Sequence, residues 1–209
     1  MKRILLLGAT GHLGKVLTKI LLKEGFQVVA LVRSSSKVTI SDEHLKVITG
    51  DVTNSSDLNG ALENIDVVIS TLGHGFRTPY PIQEKALSVL IPLMEKKRVN
   101  RFITITGAGL AVKGDPKSFL GTISSILFPL IDPYRISDAK AQQLILEKSN
   151  IDWTVVRTPI HNNRTVQKLN HVGLQQPMPW QTISRAAISI FMASCIKDST
   201  YIGKAPIIY

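Results

Sequence analysis

The chain has 209 residues, 25 Lys+Arg against 15 Asp+Glu for a formal net charge of +10, 44% apolar residues and 19% charged ones. This composition excludes a disordered chain, the length suits one domain with an ample core, and a single cysteine, Cys195, excludes an internal disulfide or a cysteine-built zinc centre and fits a reducing compartment, read as the cytoplasm. No apolar run approaches the ~18 residues of a membrane helix, and the stretch Ile4 to Leu7 behind Lys2-Arg3 stops at Gly8, too short for the apolar core of a signal peptide.

Ile4–Leu7 predicts the first strand. Leu13, Val16, Leu17, Ile20 and Leu21 then recur at helical spacing up to Gly25, a helix stop. Further strands are expected at Gln27–Val32, Lys46–Ile48, Asp66–Ser70, Arg101–Ile105 and Trp153–Arg157, and helices at Ser55–Glu63, Pro81–Lys97 and Ser137–Lys148. The connection between the second and third strands reads as a loop. Short apolar strands alternating with helices imply an α/β fold, a Rossmann-type doubly wound parallel sheet. After Pro159 the character changes: Asn, Gln, His and Pro dominate up to residue 182, helical periodicity resumes over Ile183–Ile196, and Ala205–Ile208 ends the chain as a strand. We expect a single domain over 1–209, with a cofactor core at 1–160 and a small C-terminal substrate-lid segment at 161–209 that includes the last helix and strand.

The basic excess is spread along the chain, 13 basic against 9 acidic residues in 1–100 and 12 against 6 thereafter. Its one dense knot, Lys96-Lys97-Arg98 with Arg101, lies where a helix is expected to end and cations complement the dipole. No nucleic-acid motif accompanies it, so no nucleic-acid partner is expected.

Gly8-Ala9-Thr10-Gly11-His12-Leu13-Gly14 directly follows the first strand and opens the first helix. Gly8 suits a tight turn, Gly11 removes the Cβ that would hold a pyrophosphate off the backbone, and Gly14 lets helix and sheet pack closely. The helix start adds free N–H groups and the positive end of the dipole. A dinucleotide site is expected over Gly8, Thr10, Gly11, His12, Leu13 and Gly14. Sites specific for NAD place an acid about 20 residues past the glycines to hold the ribose 2′-OH. Arg33 stands there instead, followed by Ser34, Ser35, Ser36 and Lys37, with no acid until Asp42. A guanidinium with hydroxyls suits a 2′-phosphate, so NADP(H) is expected in preference to NAD(H).

The glycine loop, Arg33, Gly50-Asp51-Val52, Ser70-Thr71-Leu72-Gly73 and the run Ile151-Asp152-Trp153-Thr154-Val155-Val156-Arg157-Thr158-Pro159 together resemble the atypical short-chain dehydrogenase/reductase family. The likeness is greatest to flavin reductase/biliverdin-IXβ reductase-like proteins and NmrA-like redox sensors. The resemblance implies that Asp51 and Val52 lie at the adenine edge and that Leu72 and Gly73 line the pyrophosphate and ribose. It also implies a hydroxyl of Thr106 beside the nicotinamide, with Pro159 and Ile160 closing over its amide.

The departures from the family are equally informative. The superfamily's Tyr-x-x-x-Lys pair is missing: four residues after Tyr80, Tyr134 and Tyr201 come Glu84, Asp138 and Ala205. Lys140 lies in the corresponding helix, six residues past Tyr134, and is assigned to the ribose with a possible acid role; it and Thr106 are the catalytic candidates. A conventional ketone or alcohol dehydrogenase is disfavoured. Direct hydride transfer to a planar acceptor such as a flavin or quinone needs no tyrosine, since stacking on NADPH supplies proximity. The alternative is a non-catalytic NADP(H) sensor of the NmrA-like type.

Other residues admit two readings. His74, between Gly73 and Gly75, either contacts the site or is simply exposed, and His12 is assigned to phosphate or ribose. His161 with Asn162, Asn163 and Arg164 forms either a substrate wall or a self-satisfied turn. Ser118–Ile131 is a lid, a core segment or a dimer patch. Cys195 is expected in the core, no metal-ligand spacing is present, and the chain is expected to act on a small molecule as a monomer or weak homodimer.

Overall fold

The computed structural model describes residues 1–73, 79–112, 114–116, 131–164, 169, 171–178 and 180–209. Apolar, β-branched runs covered on both faces form its middle layer. Six parallel strands, β1 (Arg3–Leu7), β2 (Gln27–Val32), β3 (Leu45–Thr49), β4 (Val67–Ser70), β5 (Arg101–Gly107) and β6 (Asp152–Thr158), lie in the order β3-β2-β1-β4-β5-β6. Residues Ile4 to Leu7 of β1 are wholly buried. The chain leaves β1 towards β2 and β3 and returns on its other side at β4, so the switch point falls between β1 and β4. In such sheets the ligand crevice opens there, beyond the carboxyl ends of the strands.

The sheet continues past β6. A short strand before the C-terminus, β10 (Ile207–Ile208), runs parallel to β6, and β8 (Val172–Gly173) runs antiparallel to β10. Two further strands, β7 (Ile160–Asn162) and β9 (Thr182–Ser184), pair with each other as a separate parallel ribbon.

Helices α1 (His12–Lys23) and α5 (Arg185–Ser194) cover one face of the sheet. Leu13, Leu17 and Leu21 of α1 share one core with Ala187, Ile188, Phe191 and Met192 of α5. Each such leucine taken fully from water contributes roughly 1.5–3 kcal/mol. The opposite face carries α2 (Ser55–Ala61) and α3 (Ile82–Lys97), with α4 (Pro133–Glu147) packed on α3. No helix among the described residues is long and apolar enough to cross a membrane.

Several expected boundaries move. β5 runs on to Gly107 because its last residues pair with Arg157 and Thr158 of β6. Pro133 starts α4 four residues earlier than periodicity suggests, with Asp132 as its cap. Ile183 belongs to β9 and not to the last helix, which Ser184 caps through a bond from the Ala187 amide. A 3-10 turn at Ser35–Lys37 is the only regular piece between β2 and β3, as the sequence suggests. Residue 160 is not a packing boundary: α5, Cys195, Ile196 and Ile208 complete the core that α1 begins, because α1 alone cannot cover its face of the sheet.

Arg157 anchors the C-terminal half. It is fully buried in β6, where its Nε donates to the Ala205 carbonyl at 2.8 Å and Nη1 to the Leu110 carbonyl at 2.8 Å. Both Nη atoms reach the Asp115 carboxylate at 2.6 Å. One guanidinium thus ties the segment after β5 to the approach to β10, and a bidentate pair fixes its plane. Removing one partner of such a buried pair leaves the other charge uncompensated. We expect Arg157→Met, which keeps the bulk and loses the donors, to lower the unfolding free energy by about 3–5 kcal/mol in urea titrations; a loss under 1 kcal/mol would refute the anchoring role.

Candidate functional site

The carboxyl edge of the sheet gathers three groups of residues. The first is the glycine loop. Gly8 has φ +83°, a left-handed value, and a Cβ there would lie 2.8 Å from Thr71 Oγ1. A Cβ on Gly14 would lie 2.1 Å from the Gly8 carbonyl oxygen, so only glycine lets α1 sit this close to the loop. Among the described residues a Cβ on Gly11 would meet only that same oxygen, at 3.2 Å. Thr71, at the end of β4, donates its hydroxyl to the Leu7 and Gly8 carbonyls at 3.1 and 3.2 Å and pins the loop across the switch point.

Helix capping distinguishes this loop from the other helix starts on the same edge. Asn54 accepts from the amides of Ser56 and Asp57 at the start of α2, Asp132 from Arg135 at α4, and Ser184 from Ala187 at α5. α3 has no cap of its own, and Asp138 of α4 supplies one. α1 starts at Gly11 with no side-chain cap and no acid in its first turn. Its leading amides therefore offer the positive end of the dipole to an anion. The missing Cβ at Gly11 and these uncapped amides fit the pyrophosphate of a dinucleotide.

The second group lies at the ends of β2 and β3. Arg33 is exposed immediately after Val32, the Ser34 and Ser36 hydroxyls are 2.8 Å apart, and Lys37 follows in the same turn. Asp51 accepts from the Thr53 hydroxyl at 2.7 Å and the Thr53 amide at 2.8 Å. The hydroxyl, then the amide, hold its carboxyl below the usual range; burial opposes this, and the Arg33 charge lowers it a little further. Arg33 and Asp51 therefore share one electrostatic neighbourhood. Val52 is buried beside them.

The third group lies at the ends of β5 and β6. Thr106 and Gly107 stand opposite Arg157 and Thr158, with Pro159 and the exposed Ile160 following. His161 Nε2 is 2.8 Å from Thr158 Oγ1, which is 3.5 Å from the Thr106 carbonyl. Burial, followed by the charges of Arg185 and Arg135, pushes the His161 pKa down to about 4, so the ring is neutral at physiological pH. Arg185 reaches His161's neighbour Asn163, donating from Nη1 to its Oδ1.

The sequence candidates thus fall into place unevenly. Gly8, Thr10, Gly11, Gly14, Leu72 and Gly73 share the switch-point edge. Leu13 turns its side chain into the core and offers only backbone, while His12 is exposed at the first turn. Lys140 is exposed, whereas Asp138, Ala139, Gln142 and Gln143 form the buried face of α4. The helix therefore turns Lys140 to solvent, away from its packed face. His74 lies outside the described residues, as does Ser118–Ile131 apart from Ile131. The roles of Thr71 and Thr158 are not visible in the motifs that contain them, since a threonine ending a strand looks like any β-former until its neighbour is known, and Gln83 carries no sequence signal. His161 had the signal of following Pro159 at a strand end.

A family model described as NAD(P)H-binding matches residues 8–199. The chain is 35% identical over 158 residues to photosystem II assembly factor Ycf39 of Cyanophora paradoxa, covering 74% of this chain and 44% of that protein. It is 24% identical over 211 residues to the chloroplast stem-loop binding protein of 41 kDa b of Arabidopsis thaliana, covering 94% and 53%. The chain spans about half the length of the curated relatives it matches. It is similar in fold to a wide-type short-chain dehydrogenase/reductase from Veillonella parvula solved in complex with NADP, with TM-score 0.78 and 21% identity over 99% of this chain and 94% of that one.

The neutral His161 has a consequence for stability. Between its ordinary pKa of 6.5 and about 4 the unfolded chain binds a proton that the folded chain refuses. Its contribution is therefore complete above that window and is lost as pH falls through it. We expect urea-unfolding stability to decline from pH 7 to pH 4 and the decline to be shallower in His161→Gln. Identical slopes for the two proteins would contradict the burial of a neutral ring.

Proposed function

The chain belongs to the NAD(P)H-binding family, and on that footing we propose that it is an NADPH-dependent reductase of planar acceptors such as flavins or quinones. One observation carries the reading: the only α-helix start among the described residues without a side-chain cap stands beside a strand that is followed by Arg33, Ser34, Ser36 and Lys37, with no acid at its tip. Backbone amides at Gly11 to Gly14 would hold the pyrophosphate, and Arg33 with the serine hydroxyls a 2′-phosphate. Asp51 and Val52 would border the adenine, and Leu72, Gly73, Pro159 and Ile160 the remainder. When bound, the cofactor supplies a hydride donor.

The residues at β5 and β6 support an acceptor that needs no prior protonation. Tyr134 has Asp138 four residues on, and that carboxylate is occupied with amides of α3. His161 is neutral and hydrogen-bonded to Thr158, so it does not act as a strong acid near pH 7. Thr106 and Thr158 add hydroxyls at the same edge. Ile160 and Trp180, 71% and 78% exposed, offer apolar surface near the end of β6, since Thr182 of β9 pairs with Ile160. An aromatic acceptor suits that combination of apolar faces with few polar groups. Proximity then supplies much of the rate.

The relative named an assembly factor favours a second reading, a non-catalytic NADP(H) sensor. We further propose action on small molecules as a monomer or weak homodimer. The relative named for stem-loop binding raises nucleic acid as a partner, but the basic excess here is spread over both halves of the chain. A buried lone cysteine suits a reducing compartment, the cytoplasm in this reading, while the names of several relatives place those proteins in the chloroplast.

Two measurements test these readings. Pure protein with NADPH and FMN, riboflavin or a quinone is expected to consume absorbance at 340 nm; tight NADPH binding with no turnover across the panel would replace the reductase by the sensor. Arg33→Asp is expected to weaken NADPH by about 10–100-fold, the worth of a hydrogen bond to a charged group, and NADH by much less. Equal losses would refute the 2′-phosphate role.

A further inference from the structure

Asp138 occupies an unusual place for an acid. It lies on the buried face of α4, 1% exposed, and its two oxygens accept the amides of Gln83 at 2.9 Å and Glu84 at 2.8 Å. Those amides open α3, whose own N-cap residue, Pro81, has no side chain that can accept a bond. Capping by a carboxylate from another helix satisfies two orphan donors and complements the dipole at once. It also decides where the Gln83 side chain points. Gln83 is buried, and its Nε2 donates to the Leu72 carbonyl at 3.1 Å and stands 3.5 Å from the Ile105 carbonyl. Leu72 follows β4, and Ile105 immediately precedes Thr106 in β5. Asp138, the start of α3 and Gln83 therefore form a continuous strut from α4 to the tips of two adjacent strands.

We propose that Asp138 and Gln83 are a positioning pair that holds the tips of β4 and β5 in place for the nicotinamide half of the cofactor. The inference rests on the NADPH reading above and extends it to residues that touch no ligand. The strut reaches Leu72 and Ile105, and neither Arg33 nor Asp51 takes part in it. The adenosine half, held at the ends of β2 and β3, is mechanically separate, which makes the proposal separable from a general structural role. Closing the α3 start has a second effect: among the described residues it leaves α1 as the α-helix on this edge whose leading amides have no side-chain acceptor.

The test compares two ligands by calorimetry: NADPH, which engages both halves, and adenosine 2′,5′-bisphosphate, which engages only the adenosine side. Gln83→Met keeps length and volume and removes the donor. It is expected to raise the Kd for NADPH about tenfold, the order of one buried hydrogen bond, while the bisphosphate Kd stays within about twofold. Asp138→Asn, which can accept from only one of the two amides, is expected to show the same split in smaller measure and serves if Gln83→Met does not fold. Equal weakening of both ligands, or no weakening of either, overturns the positioning role. If the unsubstituted chain binds the bisphosphate and NADPH equally poorly, the cofactor reading itself falls, and with it this proposal; a split absent only in the variants leaves that reading standing.

Discussion

The contact between Gly14 and the Gly8 carbonyl leaves no space for a side chain, and the depth at which α1 settles on the sheet follows from it. A helix held farther out would carry its leading amides away from the tip of β1 and uncover Leu17 and Leu21. Thr71 works on the same loop from the other side, with its hydroxyl on the Leu7 and Gly8 carbonyls. Loop, helix and β4 thus meet within a few ångströms at the switch point. Close packing there is what converts a glycine pattern into a shaped crevice.

The carboxyl edge of a doubly wound sheet collects helix N-termini, each a partial positive charge. Here side chains neutralise most of them. Asn54, Asp132 and Ser184 cap their own helices, and Asp138 caps a neighbour's. Among the α-helices of the described residues, α1 alone is left without a side-chain acceptor at its start. Net charge alone could not create that asymmetry. A formal +10 raises the potential over the whole surface, whereas an uncapped helix start concentrates positive potential at one point.

The C-terminal third is as much structure as site. β7 and β9 carry His161 and Ile160 beyond the sheet, whereas α5 and β10 close the core and widen the sheet. Arg157 connects the two functions, since it holds both the segment after β5 and the approach to β10 from within a strand whose next residues border the site. A segment whose composition suggests only a cover can still supply a missing layer when the sheet has an unpaired edge and an uncovered face.

Much was legible from the residues alone. Alternating apolar strands and helices specify the parallel sheet because a strand buried on both faces must be apolar throughout, and the glycine spacing marks the loop because Gly8 has a positive φ and a Cβ on Gly14 would lie 2.1 Å from the Gly8 oxygen. The replacement of an acid by Arg33 at the tip of the second strand is likewise local information. Other features depend on partners distant in sequence. Lys140 shares its helix with Asp138, and only the packing of α4 on α3 shows that the aspartate faces inward and the lysine outward. His161 looked like a turn residue until the threonine three positions back and two arginines from separate helices surrounded it. The sequence by itself determined the fold class and the tight glycine turn between β1 and α1, because backbone sterics and periodic burial act within a few residues. Which acid caps which helix, which histidine stays neutral and which segment completes the core were decided only in the tertiary structure, because hydrogen bonding and desolvation depend on neighbours that chain order does not reveal.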